Sequence, residues 1–315
     1  MESQIITAFI SVGLIGAVLG AVLAYASKVF HVPVDPKVKK ILEVLPNANC
    51  GACGYPGCAG FAEAVVTSGA DISLCAPGGQ EVLEKIADIM GVEASSSKPM
   101  VAYCACNGTR ENAADRFIYY GPQKCASAVF ISGGHKACDY GCLGFGDCVE
   151  ACNFDAMHMG KNGLPVVDDE KCVGCGACVK ACPKGVMKMM PKDAKVYLAC
   201  NSKAKGKEVS DACKVGCIGC KICSLPKTTP SGAIKMEGDL PVINYEIDDD
   251  LKAAKFKCPK SCFVDKSDLE KTGDQIAAEK AEFKAAEAKR TEAAKKAALE
   301  KAAAAKAAKE QGGQG

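Results

Sequence analysis

The chain carries 22 cysteines among its 315 residues, and their spacing is the feature most able to do chemistry. The clearest run is Cys172-x2-Cys175-x2-Cys178-x3-Cys182, which Pro183 follows. In runs of this kind, three closely spaced thiolates wrap one [4Fe–4S] cluster while the fourth binds a neighbouring cluster. The run therefore predicts a pair of clusters.

The partner motif is expected upstream of this run, and four cysteines lie there in the order Cys138-x3-Cys142-x5-Cys148-x3-Cys152. Residues 164–168 between the two motifs are predicted to form a strand. Crossed ligation, as in ferredoxins, predicts two sets of ligands. One cluster is expected on Cys138, Cys142, Cys148 and Cys182, and the other on Cys152, Cys172, Cys175 and Cys178.

A third set is Cys217-x2-Cys220-x2-Cys223, with Cys258-Pro259 downstream. Standard spacing counted back from Cys258 places Asp248, Leu251 and Ala254 where three further thiolates would stand, and no cysteine follows soon after Cys223. All four ligands of one cluster are absent together. This segment is therefore predicted to be a ferredoxin-like unit with one cluster, on Cys217, Cys220, Cys223 and Cys258.

A fourth set lies near the N-terminus, as Cys50-x2-Cys53-x4-Cys58-x16-Cys75. Neighbouring glycines allow the backbone to curl around a cluster, and four cysteines without a nearby histidine suit a [4Fe–4S] site. A zinc site with four cysteines is the alternative. Four clusters are predicted in total.

Six cysteines remain outside these sets. The pattern Ala-Cys-Asn occurs at Cys106 and again at Cys200, and Cys138 matches Cys213 in a rough internal repeat. The six are either reduced thiols or, in part, the ligands of a fifth cluster on Cys106, Cys125, Cys200 and Cys213. The remaining two are Cys104 and Cys262.

An apolar segment precedes all of these cysteines. Residues 5–26 contain no charged side chain. Such a length is enough to cross a hydrocarbon core of about 30 Å as a helix. Lys28 and three further lysines follow it, which predicts a cytoplasmic location for the rest of the chain. A cleaved signal peptide is the alternative, although the segment before the apolar run lacks Lys and Arg. Gly16 and Gly20 form a GxxxG pair that could pack on another membrane helix.

The predicted fold class is α+β, and the composition favours small domains. Aromatic residues make up only 6% of the chain, with no Trp, which argues against one large core. The predicted domains are a transmembrane anchor (1–30), a four-Cys domain (31–94), a two-cluster ferredoxin-like unit (100–192), a degenerate ferredoxin-like unit with one cluster (193–266), and a helical or disordered tail rich in Ala, Lys and Glu (267–315).

Net charge and missing motifs exclude several functions. A net charge of +2 gives no strong field for nucleic acid. No GxGxxG follows a strand and no P-loop is present, so no dinucleotide or nucleotide site is predicted. We expect an electron relay without an independent active site.

The order of an apolar N-terminal segment, the Cys50 to Cys75 motif and ferredoxin motifs resembles the B subunit of Rnf complexes, over about residues 1–264. The resemblance implies a component of a membrane-bound, ion-translocating ferredoxin:NAD+ oxidoreductase. Such a component would accept electrons from reduced ferredoxin and pass them to membrane subunits, while a separate flavin-bearing subunit reduces NAD+. The implied location is the cell membrane, with one span and the soluble part in the cytoplasm.

Two other functions stay open from the residues alone. One is a membrane-anchored iron–sulfur relay in another anaerobic redox enzyme. The other is a structural zinc scaffold.

Overall fold

The computed structural model describes residues 2–30, 35–94, 98–269 and 275–292. The chain divides into two compact units, residues 1–95 and 96–315. The division falls between the predicted four-Cys domain (31–94) and the predicted ferredoxin-like unit that begins at residue 100. The finer domain boundaries within these units remain predictions.

The apolar N-terminal segment forms one long helix, α1 (Glu2–Val29). Its stretch Ile10–Val29 covers 20 residues with a mean hydropathy of 2.0. Large apolar side chains such as Leu14 and Leu23 are exposed along it. By length and composition this helix could span a membrane.

Three shorter helices carry the rest of the first unit: α2 (Pro36–Val44), α3 (Gly57–Ser68) and α4 (Gly79–Met90). The Asp35 carboxylate caps α2 by accepting a hydrogen bond of 2.7 Å from the Lys37 N–H, as Asp-Pro at a helix start favours. Their apolar faces meet in a core that includes Ile41, Phe61 and Ile86, each at most 1% exposed.

The second unit consists of short helices and short strands. In chain order they are β1 (Met100–Cys104), α5 (Cys125–Ala128), α6 (Asp147–Glu150), β2 (Met157–Met159), β3 (Pro165–Val167), α7 (Ala177–Ala181), β4 (Met187–Pro191), β5 (Val196–Leu198), α8 (Lys207–Ala212), β6 (Ile234–Glu237), β7 (Leu240–Ile243), α9 (Lys252–Lys257), β8 (Phe263–Asp265) and a helix over residues 275–292, α10.

Four antiparallel two-stranded ladders organise the second unit. The outer ladder β1–β4 and the inner ladder β2–β3 lie within residues 100–192. The outer ladder β5–β8 and the inner ladder β6–β7 lie within residues 193–266. The two halves therefore repeat one arrangement, as the internal sequence repeat suggests. Strand β3 falls in the strand predicted over residues 164–168.

The hydrophobic cores of the second unit are small and rich in sulfur. One core contains Cys148 and Cys178 beside Met157 and Met187. Another contains Cys217 and several apolar residues of the second half. Cores of this size bury little apolar area, so the thiols are part of what holds each half together.

Within the predicted tail, helix α10 contacts helix α9. In α10, the Phe283 ring lies 5.1 Å from that of Phe256, centre to centre, and Glu287 pairs with Lys257. The helical alternative predicted for the tail thus holds for residues 275–292. Residues 270–274 and 293–315 of that prediction lie outside the described part.

The buried ion pair between Lys255 and Asp268 gives a test of this fold. Their closest nitrogen and oxygen are 2.7 Å apart, and the two side chains are 7% and 11% exposed. We expect Lys255→Ala to cost about 3–5 kcal/mol of stability, because it leaves a buried carboxylate without its ammonium. Lys252→Ala, one turn away in α9 with an exposed partner, should cost at most about 1 kcal/mol. Anoxic thermal denaturation should separate the two variants, and equal midpoints would contradict this account.

Candidate functional site

The four cysteines of the first unit line one small cavity. Its wall includes Cys50, Cys53, Cys58 and Cys75. Burial raises the pKa of the Cys75 thiol, and the charges of the other three sulfurs raise it further. The predicted set is therefore brought together in space.

The loop around this cavity needs glycine at one point. Asn49 uses its side-chain oxygen to accept a hydrogen bond of 2.8 Å from the Cys58 N–H. A Cβ on Gly57 would lie 2.7 Å from that same oxygen, and Gly57 has a φ of +80°. Only glycine permits both the left-handed backbone and the close approach.

Three loops of the second unit share one backbone shape. They begin at Cys142, Cys172 and Cys217, and the residues two and four positions later have positive φ angles. Those residues are Gly144, Gly146, Gly174, Gly176, Gly219 and Lys221. The shape turns the chain so that the next cysteines point back towards the first.

The loop that starts at Cys172 gathers the second predicted set. Burial raises the pKa of Cys178 to about 11, and the charges of Cys172, Cys175 and Cys152 contribute to that rise. The Ala102 N–H also points at the Cys172 sulfur at 3.5 Å. Cys152 lies among these thiols, as the crossed arrangement predicts; ligation itself stays a prediction.

The loop that starts at Cys142 has Phe145 where the other two loops have their second cysteine. Cys125 occupies that place in space. The cysteines that line one cavity are Cys125, Cys142, Cys148 and Cys182. Burial raises the pKa of Cys148 to about 12, with the charges of the other three thiols adding to it.

Asp147 explains how Cys125 reaches this position. Its carboxylate accepts hydrogen bonds from the N–H groups of Cys125, at 2.7 Å, and Ala126, at 2.9 Å. This caps the first turn of α5 from a residue adjacent to Cys148. The Phe145 N–H in turn donates to the Cys125 sulfur.

The structure differs from the sequence prediction at Cys138. That residue does not line the cavity of Cys142, Cys148 and Cys182; it lines a separate one with Cys213. The reason is local, since Cys138 precedes the shared loop shape, whereas Cys125 is held directly against Phe145. The sequence Cys142-x2-Phe145-x2-Cys148 has the standard cluster-loop spacing, with Phe145 in place of the second cysteine. This spacing could have indicated that the missing ligand comes from elsewhere in the chain.

The third predicted set also converges. Burial raises the pKa of Cys223 to about 12, and the charges of Cys217, Cys258 and Cys220 add to it. Cys220 is the one exposed cysteine among those in the described residues. Where a second cluster would lie, Leu251 and Ala254 are buried apolar residues, so this region is packed rather than open.

Two buried thiols stand beside these sets. The Cys262 thiol lies beside the sulfurs of both Cys217 and Cys258, and its proton, which only one acceptor can take at a time, lowers the pKa of Cys258 to about 6 and that of Cys217 to about 7. The Cys262 N–H also donates to the Cys258 sulfur at 3.4 Å. A hydrogen bond from Cys104 similarly lowers the pKa of Cys142. Each half of the second unit therefore has one extra thiol that favours the charged form of a neighbouring sulfur.

The donor sets suit clusters better than single ions. All 22 cysteines are free thiols. Within the described residues, no group of three or more Cys, His, Asp or Glu side chains could hold one metal ion. A zinc ion needs its sulfurs at about 2.3 Å from a single point, whereas a cubane offers each thiolate its own iron.

Two family models match the chain at these sites. A model for an Fe-S cluster matches residues 45–77, which span the first cavity. A model for a 4Fe-4S binding domain matches residues 165–188, which span the loop after Cys172.

Three curated relatives are similar over most of the chain. The B subunit of a proton-translocating ferredoxin:NAD(+) oxidoreductase complex of Clostridium ljungdahlii is 42% identical, covering 88% of this chain and 99% of the relative. The B subunit of an ion-translocating oxidoreductase complex of Methanosarcina acetivorans is 39% identical, covering 78% and 92%. The B subunit of a Na(+)-translocating ferredoxin:NAD(+) oxidoreductase complex of Acetobacterium woodii is 41% identical, covering 79% and 74%.

Single cysteine variants can test the role of Cys125. We expect Cys148→Ala to remove one EPR component from the anoxically purified chain, and Cys125→Ala to remove the same component. Cys138→Ala should keep it, because that thiol lines another cavity. Loss of this component in Cys138→Ala and its retention in Cys125→Ala would contradict the geometry.

Proposed function

The chain belongs to the family of Rnf complex B subunits, and we propose that it accepts electrons from reduced ferredoxin and passes them to the membrane subunits of such a complex. It is an iron–sulfur electron-transfer component of an ion-translocating oxidoreductase complex. The single observation that carries the proposal is the succession of thiol-lined cavities through the second unit. Reduction of NAD+ would belong to another, flavin-bearing subunit.

We assign four clusters to the cavities described above. The ligands are Cys50, Cys53, Cys58 and Cys75 in the first unit, and Cys125, Cys142, Cys148 and Cys182, then Cys152, Cys172, Cys175 and Cys178, then Cys217, Cys220, Cys223 and Cys258 in the second. Each bound cluster would supply a one-electron couple, tuned by hydrogen bonds to sulfur and by exposure.

Neighbouring sets share packing, which supports transfer between them. Cys148 and Cys178 belong to different sets but lie in one core, with Cys152 and Cys182 packed against it. The charge of Cys178 also contributes to the raised pKa of Cys148, after burial and the nearer thiols. The protein matrix between these two clusters would be a single layer of side chains.

The face around Cys220 suits the arrival of a soluble electron carrier. Cys220 and its neighbour Lys221 are both exposed. Lys227 is also exposed, four residues after Cys223, and its backbone carbonyl accepts a hydrogen bond of 3.3 Å from the Lys257 ammonium, which pairs with Glu287. A basic face would attract a negatively charged carrier and orient it on the exposed thiol.

The helix α1 supports attachment to a membrane. We propose one span with the cluster-bearing part in the cytoplasm, because Lys28 and further lysines follow the apolar stretch while only Glu2 precedes it. Membership of an ion-translocating complex agrees with this location.

Reduction by ferredoxin tests the proposed function. We expect reduced ferredoxin to bleach the visible absorbance of the full-length chain under anoxic conditions, at a rate that falls as salt rises. Lys221→Glu should slow this rate severalfold, because it reverses the exposed charge next to Cys220. Lys161→Glu makes the same charge change in the β2–β3 turn and should leave the rate unchanged. Absence of bleaching by reduced ferredoxin would refute the assignment.

Removal of the anchor tests the location. A chain lacking residues 1–27 should remain in the soluble fraction and keep its iron, because every thiol-lined cavity described above lies after α1. The full-length chain should sediment with membranes. Loss of iron on truncation would mean that α1 contributes to the cluster-bearing fold.

A further inference from the structure

A second kind of cavity lies between the two halves of the second unit. Its lining contains four thiols that no sequence motif groups together, Cys106, Cys138, Cys200 and Cys213, along with the flank of Cys142. The first two come from residues 100–192 and the other two from residues 193–266. Cys142 reaches the cavity from the neighbouring set.

The four thiols are arranged by the internal repeat. Cys106 and Cys200 occupy equivalent positions, as do Cys138 and Cys213. The Cys142 N–H donates to the Cys106 sulfur at 3.4 Å. In the other half, the Cys217 N–H donates to the Cys200 sulfur at 3.3 Å. Each half therefore presents the same pair of thiols to the shared cavity.

Short distances place sulfurs from different halves close together. A Cβ on Gly108 would lie 3.3 Å from the Cys106 sulfur and 3.9 Å from that of Cys213. Burial raises the pKa of Cys138, and the charge of Cys213 is among the further causes. Cys138 in turn adds to the raised pKa of Cys200, after burial and Cys217.

Backbone hydrogen bonds hold the two halves in this register. The Asn107 N–H donates to the Ala199 carbonyl at 3.0 Å, and the Ala114 N–H donates to the Ala212 carbonyl at 3.0 Å. The Lys214 N–H donates to the Asn112 carbonyl at 2.8 Å. The cavity wall is thus built by the fold and does not depend on a bound group to bring the halves together.

We propose that Cys106, Cys138, Cys200 and Cys213 hold a fifth [4Fe–4S] cluster, shared between the two ferredoxin-like halves. Each of the four cysteine sulfurs would bind one iron of a cubane preformed on the thiolates of a carrier protein and displace one of those thiolates, and the four protons that the cysteines lose would go to the four departing thiolates. The N–H groups of Cys142 and Cys217, at 3.4 and 3.3 Å from the Cys106 and Cys200 sulfurs, provide hydrogen bonds of the kind that tune a bound cluster. Buried Lys136, paired with Asp115 at 2.9 Å, adds a positive charge to the same wall.

A cluster fits this cavity better than zinc. The lining contains no histidine, and the described residues offer no group able to hold a single metal ion. Four separate irons relieve the need for four sulfurs to meet at one point. The sequence analysis names Cys125 as a possible fourth ligand of a fifth cluster, and we replace it with Cys138. Asp147 holds Cys125 in the neighbouring cavity.

The proposed cluster would lie between two of the other thiol sets, and its role in electron transfer rests on the proposed function. Through Cys142 the cavity adjoins the set of Cys125, Cys142, Cys148 and Cys182, and through the Cys217 N–H it adjoins the set that contains exposed Cys220. The shared cluster would therefore connect the two halves. Without it, electrons entering at Cys220 would face a gap before the rest of the second unit.

Iron counting on the full-length, anoxically purified chain tests the proposal. We expect about twenty iron atoms per chain, or five cubanes. Cys106→Ala and Cys213→Ala, which lie in different halves, should each lose about four iron atoms, one-fifth of the total, and the same EPR component. That component should survive in Cys148→Ala. As a control, Val209→Ala trims the same cavity wall without removing a thiol and should keep all five clusters.

Clear outcomes would overturn the proposal. One is about sixteen iron atoms in the fully reconstituted, unmodified chain, a result that does not depend on the folding of any variant. Another is the retention of every component in Cys106→Ala or Cys213→Ala. Bleaching by reduced ferredoxin is scored separately on the unmodified chain, so failure of the electron role and failure of the fifth cluster give different results.

Discussion

The gathering of cysteine thiols into small, partly buried cavities is the constraint on which the rest of the structure depends. The chain has no Trp and few aromatic residues, and its cores combine a handful of aliphatic side chains with the thiols themselves. Burial raises the pKa of several of these thiols, including Cys148 and Cys223. A buried thiolate is costly unless it is bound or hydrogen-bonded, so metal coordination and folding would stabilise each other.

Repetition and specialisation are both visible in the second unit. The two halves share outer and inner ladders, loops with matching positive φ angles, and paired thiols at Cys106 and Cys200. They differ in the later half, where the buried apolar residues Leu251 and Ala254 stand at positions that standard spacing would give to cysteines. The extra buried thiol also comes from different places in the two halves: Cys104 ends β1, whereas Cys262 immediately precedes β8.

Hydrogen bonds and charge give each thiol set a different environment. The Cys258 sulfur accepts a hydrogen bond from the Cys262 N–H, and Cys220 is exposed next to Lys221, whereas the set that includes Cys152 and Cys178 has no exposed cysteine. Reduction potentials of clusters respond to such differences in hydrogen bonding, charge and exposure. A graded series of potentials is what an electron relay between a soluble carrier and a membrane complex needs.

The sequence by itself determined the features that depend on local spacing. The loops over residues 172–178 and 217–223, the first three cysteines near the N-terminus and the apolar helix α1 follow from neighbouring residues, because one turn of the backbone brings such thiols together. Only the tertiary structure decided the places of Cys125 and Cys138. Cys125 reaches the gap at Phe145 through the carboxylate of Asp147, and Cys138 meets Cys213 across the two halves. Contacts between residues so far apart along the chain depend on how the halves pack, and the spacing of cysteines carries no record of that packing.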